Sequence, residues 1–183
     1  IGGFFLMKVF DYIIVGQGIA GTILAFQLRL KGKRVFVIDK HRDHTSSKIA
    51  TGTYNPMVLK RFTPSWKIED QLIPLYNFID AFETSFNTSI HIPIKLWRKF
   101  TSTHEQNLWL EKSYHNRLMP YMKSSFIANP HKDINADFGF GEVKKSGWVD
   151  FLKLISIFKH RLISEGCFLD EEFDYSSMSI GKN

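Results

Sequence analysis

Asp11-Tyr12-Ile13-Ile14-Val15-Gly16-Gln17-Gly18-Ile19-Ala20-Gly21 is the stretch on which the fold turns. The run Tyr12 to Val15 is continuously apolar and stops at Gly16, the pattern of a strand buried in a parallel sheet. From Ile19 to Lys31 apolar residues recur at helical spacing (Ile19, Ile23, Phe26, Leu30), and basic residues followed by Gly32 end the helix. A second apolar run, Val35 to Ile38, stops at Asp39. The three pieces predict one strand-helix-strand unit with a right-handed crossover.

Gly16, Gly18 and Gly21 have the GxGxxG form and sit between the first strand and the helix. Gly16 permits the tight turn, Gly18 lets a pyrophosphate approach the backbone, and Gly21 lets the helix pack closely on the strand. Amides at the helix start, those of Ile19 and Ala20 among them, then face the phosphates. Asp39, followed by Lys40, stands where a carboxylate accepts hydrogen bonds from the ribose hydroxyls of an adenosine, an arrangement that disfavours a 2′-phosphate. A structural turn beside a surface aspartate is the plainer reading. The joint presence of both strands, the helix and the acidic terminus favours a dinucleotide site.

Outward from this unit, 183 residues suffice for one sizeable core, or for one domain with an incomplete second. Hydrophobic residues at 44% and charged residues at 23% suit a globular body, and 17 phenylalanines imply a dense aromatic core or an apolar pocket. The net charge of +6 is spread over single cations and short pairs such as Lys33-Arg34, Lys60-Arg61 and Lys144-Lys145. That scatter argues against a nucleic-acid stripe and for an anionic small molecule or simple solubility. One cysteine, Cys167, leaves no internal disulfide and suits a reducing cytoplasm. The apolar start, Ile1 to Leu6, is too short to span a bilayer, and Met7 is the expected natural start.

Lys40 to Lys48 is polar, and Ile49 to Pro56 reads as an ordered small-residue loop. Trp66 to Phe86 has helical periodicity broken by Pro74, which predicts two short helices or one kinked one. Ile92 to Phe100 suits a strand, and Thr103-His104-Glu105-Gln106 opens a helix in capping-box form. Phe138 to Val149, with Gly139, Gly141 and Gly147, predicts a hairpin. Asp150 caps a helix from Phe151 to Ser164 that Gly166 ends, and Cys167 to Phe173 is a further strand candidate. Ser176 to Asn183 reads as a turn.

Asp11 to Gly21 resembles the opening of FAD enzymes of the D-amino-acid oxidase and glycine oxidase family. Two further stretches are similar to that family: Ser46-Ser47-Lys48-Ile49-Ala50-Thr51-Gly52-Thr53-Tyr54-Asn55-Pro56, its small-residue loop beside the pyrophosphate and flavin, and Ser146-Gly147-Trp148-Val149-Asp150, its return from substrate domain to cofactor domain. The resemblance implies an α/β fold: a Rossmann-like FAD-binding domain (7–65 and 148–183) with an inserted, incomplete α+β substrate region (66–147). It implies FAD bound through Gly16, Gly18, Ile19, Ala20, Gly21, Asp39, Lys40, Ser46, Ser47, Ala50, Thr51 and Gly52, with a backbone contact to adenine at Phe173. It also implies an N-terminal fragment, because the family continues for about as many residues again. An amine or amino acid is then the expected substrate of the complete enzyme, this chain alone is expected to be inactive, and no catalytic base is named.

Three alternatives remain open: another flavin reaction on the same first unit, an NAD-binding dehydrogenase, and a non-catalytic dinucleotide-binding fragment. Among other residues, His41 and His44 lack a third metal ligand. No GxSxG elbow surrounds Ser46 or Ser47, so hydrogen bonding to phosphate is their better role. Lys60 and Arg61 read as solvated cations, Trp66, Trp97, Trp109 and Trp148 as core, and Cys167 as packing.

Overall fold

The computed structural model describes residues 9–40, 45–130 and 132–179. Met7, His41, His44 and the chain's last residues lie outside these. The fold divides into two compact units. The first takes in residues up to Ala50, Thr84–Thr88 and everything from Asp150 on; the second holds Thr51–Glu83 and Ser89–Val149. Residues 51–65 thus cluster with the second unit.

The first unit is a parallel sheet with helices. Strand β1 (Tyr12–Val15), helix α1 (Ile19–Leu30) and β2 (Val35–Ile38) fall where the apolar runs predict them. A short helix α2 (Ser46–Ile49) replaces part of the expected polar stretch and loop. Helix α5 (Phe151–Ser164) leads into β9 (Phe168–Leu169), which pairs parallel with β2, so the sheet runs β1-β2-β9. The core is a knob of helix against helix. Thr22, Ala25 and Phe26 form one buried stripe of α1, and Leu154, Phe158 and Leu162 form that of α5. The Phe26 and Phe158 rings meet edge to face at 6.0 Å, with Phe86 beside both. Glu165 pairs with Arg29 and Arg161, tying the ends of the two helices.

Two expectations change here. β1 reads as fully buried, yet Tyr12, Ile13 and Val15 are exposed and only Ile14 is buried, because among the described residues β1 pairs with β2 alone, at the edge of the sheet. The last strand covers two residues rather than Cys167 to Phe173, and a 3-10 turn follows at Tyr175–Ser177.

The second unit is built on an antiparallel sheet. Strand β8 (Phe140–Val149) pairs with β3 (Thr53–Tyr54), β6 (His91–Lys99) and β7 (Met122–Ile127), and β4 (Met57–Val58) with β5 (Thr63–Pro64) forms a small ribbon. The hairpin expected within Phe138–Val149 is instead this one long strand. Its glycines make room rather than turns: a Cβ at Gly141 would collide with the Trp109 ring, and one at Gly147 would stand 2.5 Å from the Tyr54 hydroxyl. Tyr54 and His91 use that room, their Oη and Nε2 lying 2.8 Å apart. Burial pushes the Tyr54 phenol up, and a hydrogen bond with Tyr76 adds to it.

Helix α3 (Ile68–Phe86) runs unbroken through Pro74. The buried stripe Ile68, Leu72, Ile79 and Phe82 outweighs a proline penalty of about 3 kcal/mol, so the two-helix alternative falls. Helix α4 (Thr103–Ser113) starts one residue earlier than the sequence suggests: Ser102 is the cap, its Oγ accepting from the Glu105 amide at 3.2 Å, while the Glu105 carboxylate reaches back to the Thr101 amide at 2.7 Å. Glutamate outcompetes Gln106 because a carboxylate at a helix start gains from the helix dipole. Trp109, fully buried between Phe62 and Phe100, donates its indole N–H to the Lys123 carbonyl at 2.9 Å. Trp97 and Trp148 are half-buried, but Trp66 is 77% exposed, a correction to its assignment to the core.

Candidate dinucleotide-binding site

The end of β1 turns sharply at Gly16, whose φ of +97° is a conformation that side chains resist, and the Gly16 N–H donates to the Ile38 carbonyl at 2.8 Å. That bond brings the first turn against the end of β2. Gly18 is the N-cap of α1, in extended conformation and with no side chain to cap it. A Cβ on Gly18 would stand 2.7 Å from Ser47 Oγ, and one on Gly21 would fall on the Gly16 carbonyl oxygen. Close approach, the reason to expect glycine at both positions, is therefore visible in the packing.

The Ile19 N–H, the first amide of the helix, donates to Ser47 Oγ at 3.0 Å. Gln17, which the sequence reading passed over, is 4% exposed, and its Nε2 donates to the Ile155 carbonyl at 3.1 Å. This bond clamps the glycine turn onto α5. Its signal is faint: a polar residue between two glycines gives no hint of a partner 138 positions away. At the other end Asp39 is half-buried, and its amide donates to the Leu169 carbonyl at 3.1 Å, which sets the carboxylate at the tip of β2.

Gly16, Gly18, Asp39, Lys40, Ser46, Ser47 and Phe173 line one cavity of about 470 Å³. Thr45, Glu171, Glu172 and Tyr175 join them without having been foreseen. The Lys40 ammonium pairs with the Glu172 carboxylate at 2.7 Å, and the Phe173 and Tyr175 rings meet edge to face at 4.8 Å. Ile19, Ala20 and Gly21 form the first turn of α1 without lining the cavity. Ala50 ends α2 outside that lining. Thr51 and Gly52 belong to the second unit, where the Trp148 indole donates to the Thr51 carbonyl at 2.5 Å and the Val149 amide donates to that of Gly52 at 3.0 Å.

These residues fit a dinucleotide. A side chain at Gly18 would fill the cradle at the helix start, hydroxyls stand beside it, and a carboxylate waits at the far end. A larger cavity, about 830 Å³, is lined by residues 126–129 and 132–139 of the second unit, but it brings together no phosphate-binding turn and none of the expected site residues. Chemistry rather than size favours the first. Among the described residues, no group of three or more His, Cys, Asp and Glu is placed to hold a metal ion, and no helix is long and apolar enough to cross a membrane.

A family model described as an NAD(P)-binding Rossmann-like domain matches residues 14–68, a stretch that contains the glycine turn, Asp39 and α2. Among solved structures, the chain is similar to glycine oxidase from Bacillus cereus ATCC 14579, with 18% identity and a TM-score of 0.61 over 88% of this chain and 46% of that one. The fold is that of part of this oxidase. Iminodiacetate oxidase from Chelativorans sp. BNC1 matches the oxidase fold again, with 15% identity and a TM-score of 0.64 over 89% of this chain and 47% of that one. L-amino acid deaminase from Proteus vulgaris shares it too, at 14% identity and a TM-score of 0.63 over 90% and 40%. The chain thus spans less than half the length of the solved oxidase-fold structures it matches.

Proposed function

We propose that the chain binds the ADP half of FAD and forms part of an FAD-dependent oxidoreductase acting on an amine or amino acid. The observation that carries this reading is the convergence of Gly16, Gly18, Ser47 and Asp39 on one cavity at the head of a parallel sheet. Similarity in fold to a glycine oxidase and an iminodiacetate oxidase supports the substrate class. Residues 7–65 and 148–183 would then make the cofactor domain around an inserted substrate region, 66–147. A single cysteine suits a cytoplasmic setting.

Each residue has a definable part. Amides at the start of α1 and the hydroxyls of Ser46 and Ser47 would hold the pyrophosphate, and Asp39 would accept from the ribose hydroxyls. Gln17 keeps the turn seated on α5, so that the amides stay aimed at the phosphates. A bound flavin supplies the hydride acceptor for oxidation of the carbon that bears the amine. This chain's contribution is binding and orientation.

The test is a titration of the purified chain with FAD, read by flavin absorbance and fluorescence, beside the Gly18→Ala and Asp39→Ala variants. A bound-flavin spectrum that both variants weaken supports the proposal. A folded chain that ignores FAD and instead binds NAD would favour the dehydrogenase alternative, which the NAD(P)-binding family match keeps in view.

A further inference from the structure

We propose that a cleft where the last turns of α1 and α5 meet the end of α3 is a second small-molecule site, which takes a carboxylate with a compact apolar or aromatic body. The cleft measures about 170 Å³ and lies within the first unit, whose members include the Thr84–Thr88 segment that carries Phe86. It shares no described lining residue with the dinucleotide cavity. Clefts that hold drug-sized ligands run to roughly 300–1,000 Å³, so this one admits a single ring or a short branched chain.

The wall is aromatic. The rings of Phe26 and Phe158 stand 6.0 Å apart, and Phe86 lies 6.0 Å from the first and 6.2 Å from the second. Such a wall offers an apolar body contact without asking it for hydrogen bonds. The charged residues of the lining, Arg29 and Arg161, are both cations. Each sits in the last turn of its helix, where the dipole favours positive charge. That accounts for their sign but leaves their donors to be matched.

Both guanidiniums engage the carboxylate of Glu165, Arg29 through Nη2 and Arg161 through Nε. Two guanidiniums offer about ten N–H donors, and one carboxylate has about four acceptor sites. Arg29 Nη1 is buried and makes no hydrogen bond among the described residues. A buried donor in that state is rare and points to an oxygen brought from outside the chain. A ligand carboxylate supplies two such oxygens in the planar geometry that a guanidinium matches best. The Arg29 and Glu165 side chains are 27% and 26% exposed, so a ligand charge beside them is only partly screened, and Arg161, 61% exposed, stands at the open rim.

Phenylacetate and its uncharged counterpart phenylacetamide, titrated into the full chain at low salt and followed by ligand-observed NMR, test the site. Phenylacetate should bind about tenfold more tightly than phenylacetamide and lose that advantage at high salt. Arg161→Gln should weaken phenylacetate about tenfold and leave phenylacetamide as it is. Leu30→Asp, at a 56%-exposed lining position, sets a carboxylate at the rim and should repel phenylacetate without disturbing the core. Saturating FAD should not displace it. Equal binding of the two probes, binding of neither by a chain with an intact thermal transition, or phenylacetate binding that ignores both substitutions overturns the proposal. Displacement by FAD overturns it too, by moving the acid to the dinucleotide cavity. The two substitutions and the uncharged probe give the same readout whether or not the chain binds FAD, so failure of the dinucleotide proposal and failure of this one are distinguishable.

Discussion

Ser47 accepts a hydrogen bond from the Ile19 amide at 3.0 Å, so a hydroxyl 28 positions further along the chain caps the helix that begins at the glycine turn. The cap lies on the floor of the proposed pyrophosphate site, and Gly18, the N-cap residue, has no side chain with which to make it. Packing of α2 against the start of α1 is thereby built into the site.

Ser47→Ala should remove this cap at a cost of about 1 kcal/mol. For a chain of this size that corresponds to a fall in Tm of roughly 2–4 °C, measured without cofactor. Ser47→Thr, which keeps the hydroxyl, should recover most of it. An unchanged Tm in Ser47→Ala would mean that water replaces the serine at no cost.

Gly21→Ala is expected to be far more damaging than a helix propensity scale suggests, since alanine is normally the better helix former. Its Cβ would collide with the backbone carbonyl of Gly16, which cannot yield as a flexible side chain does. Urea unfolding should show a loss of about 2–3 kcal/mol. A neutral or stabilising effect would contradict the packing described for this turn.

Gln17→Met keeps the volume of a 4%-exposed side chain and removes its bond to the Ile155 carbonyl. A loss of about 0.5–1.5 kcal/mol is expected in urea unfolding. FAD affinity should fall as well, because the turn loses its anchor on α5. A variant that loses stability and binds FAD as before would confine Gln17 to the fold.

Trp66 and Trp109 have the same chemistry and opposite surroundings. Trp109→Ala should cost about 3–5 kcal/mol by opening a void between Phe62 and Phe100. Trp66→Ala should stay within about 0.5 kcal/mol of the wild type. Denaturation midpoints of the two variants, compared side by side, check both statements.

Acid should weaken the protein through Glu105 and Glu165. Burial alone would raise both carboxyls, but the bonds to Glu105 from Arg98 and Thr101, and to Glu165 from Arg29 and Arg161, outweigh it and hold both below the ordinary glutamate range. A folded-state value below the unfolded one, about 4.3, stabilises above that pH, and the contribution is lost as pH falls through the depressed value. The stability gap between wild type and Glu105→Gln should therefore be full near pH 6 and shrink toward pH 3, followed by urea midpoints. A gap that widens in acid would reverse the assigned direction.

Elements with local signals were legible to the residue. β1 and β2 are short apolar runs closed by a glycine and an aspartate, and Asp150 caps α5 by accepting from the Lys153 amide at 2.9 Å. Reading failed where one residue type serves two purposes. Glycine in β8 reads as a turn signal in the sequence, but there it relieves crowding under Trp109 and beside Tyr54. The capping frame of α4 lies one residue earlier than Thr103 implies because Ser102 and Thr103 are both good caps, and the bonds from the Glu105 amide to Ser102 Oγ and from the Thr101 amide to Glu105 distinguish them.

What the sequence by itself determined is the strand-helix-strand unit and the expectation of a dinucleotide at its head. Periodicity, glycine spacing and a terminal carboxylate are properties of neighbouring residues, and neighbours are what a linear reading sees. Tertiary structure decided the rest. It set Ser47 on Ile19, Gln17 on Ile155 and Glu172 on Lys40, all pairs more than 25 positions apart in the chain. Such pairings follow from how helices and strands stack to bury Phe26, Phe158 and Leu162, and burial is a property of the folded body rather than of any segment.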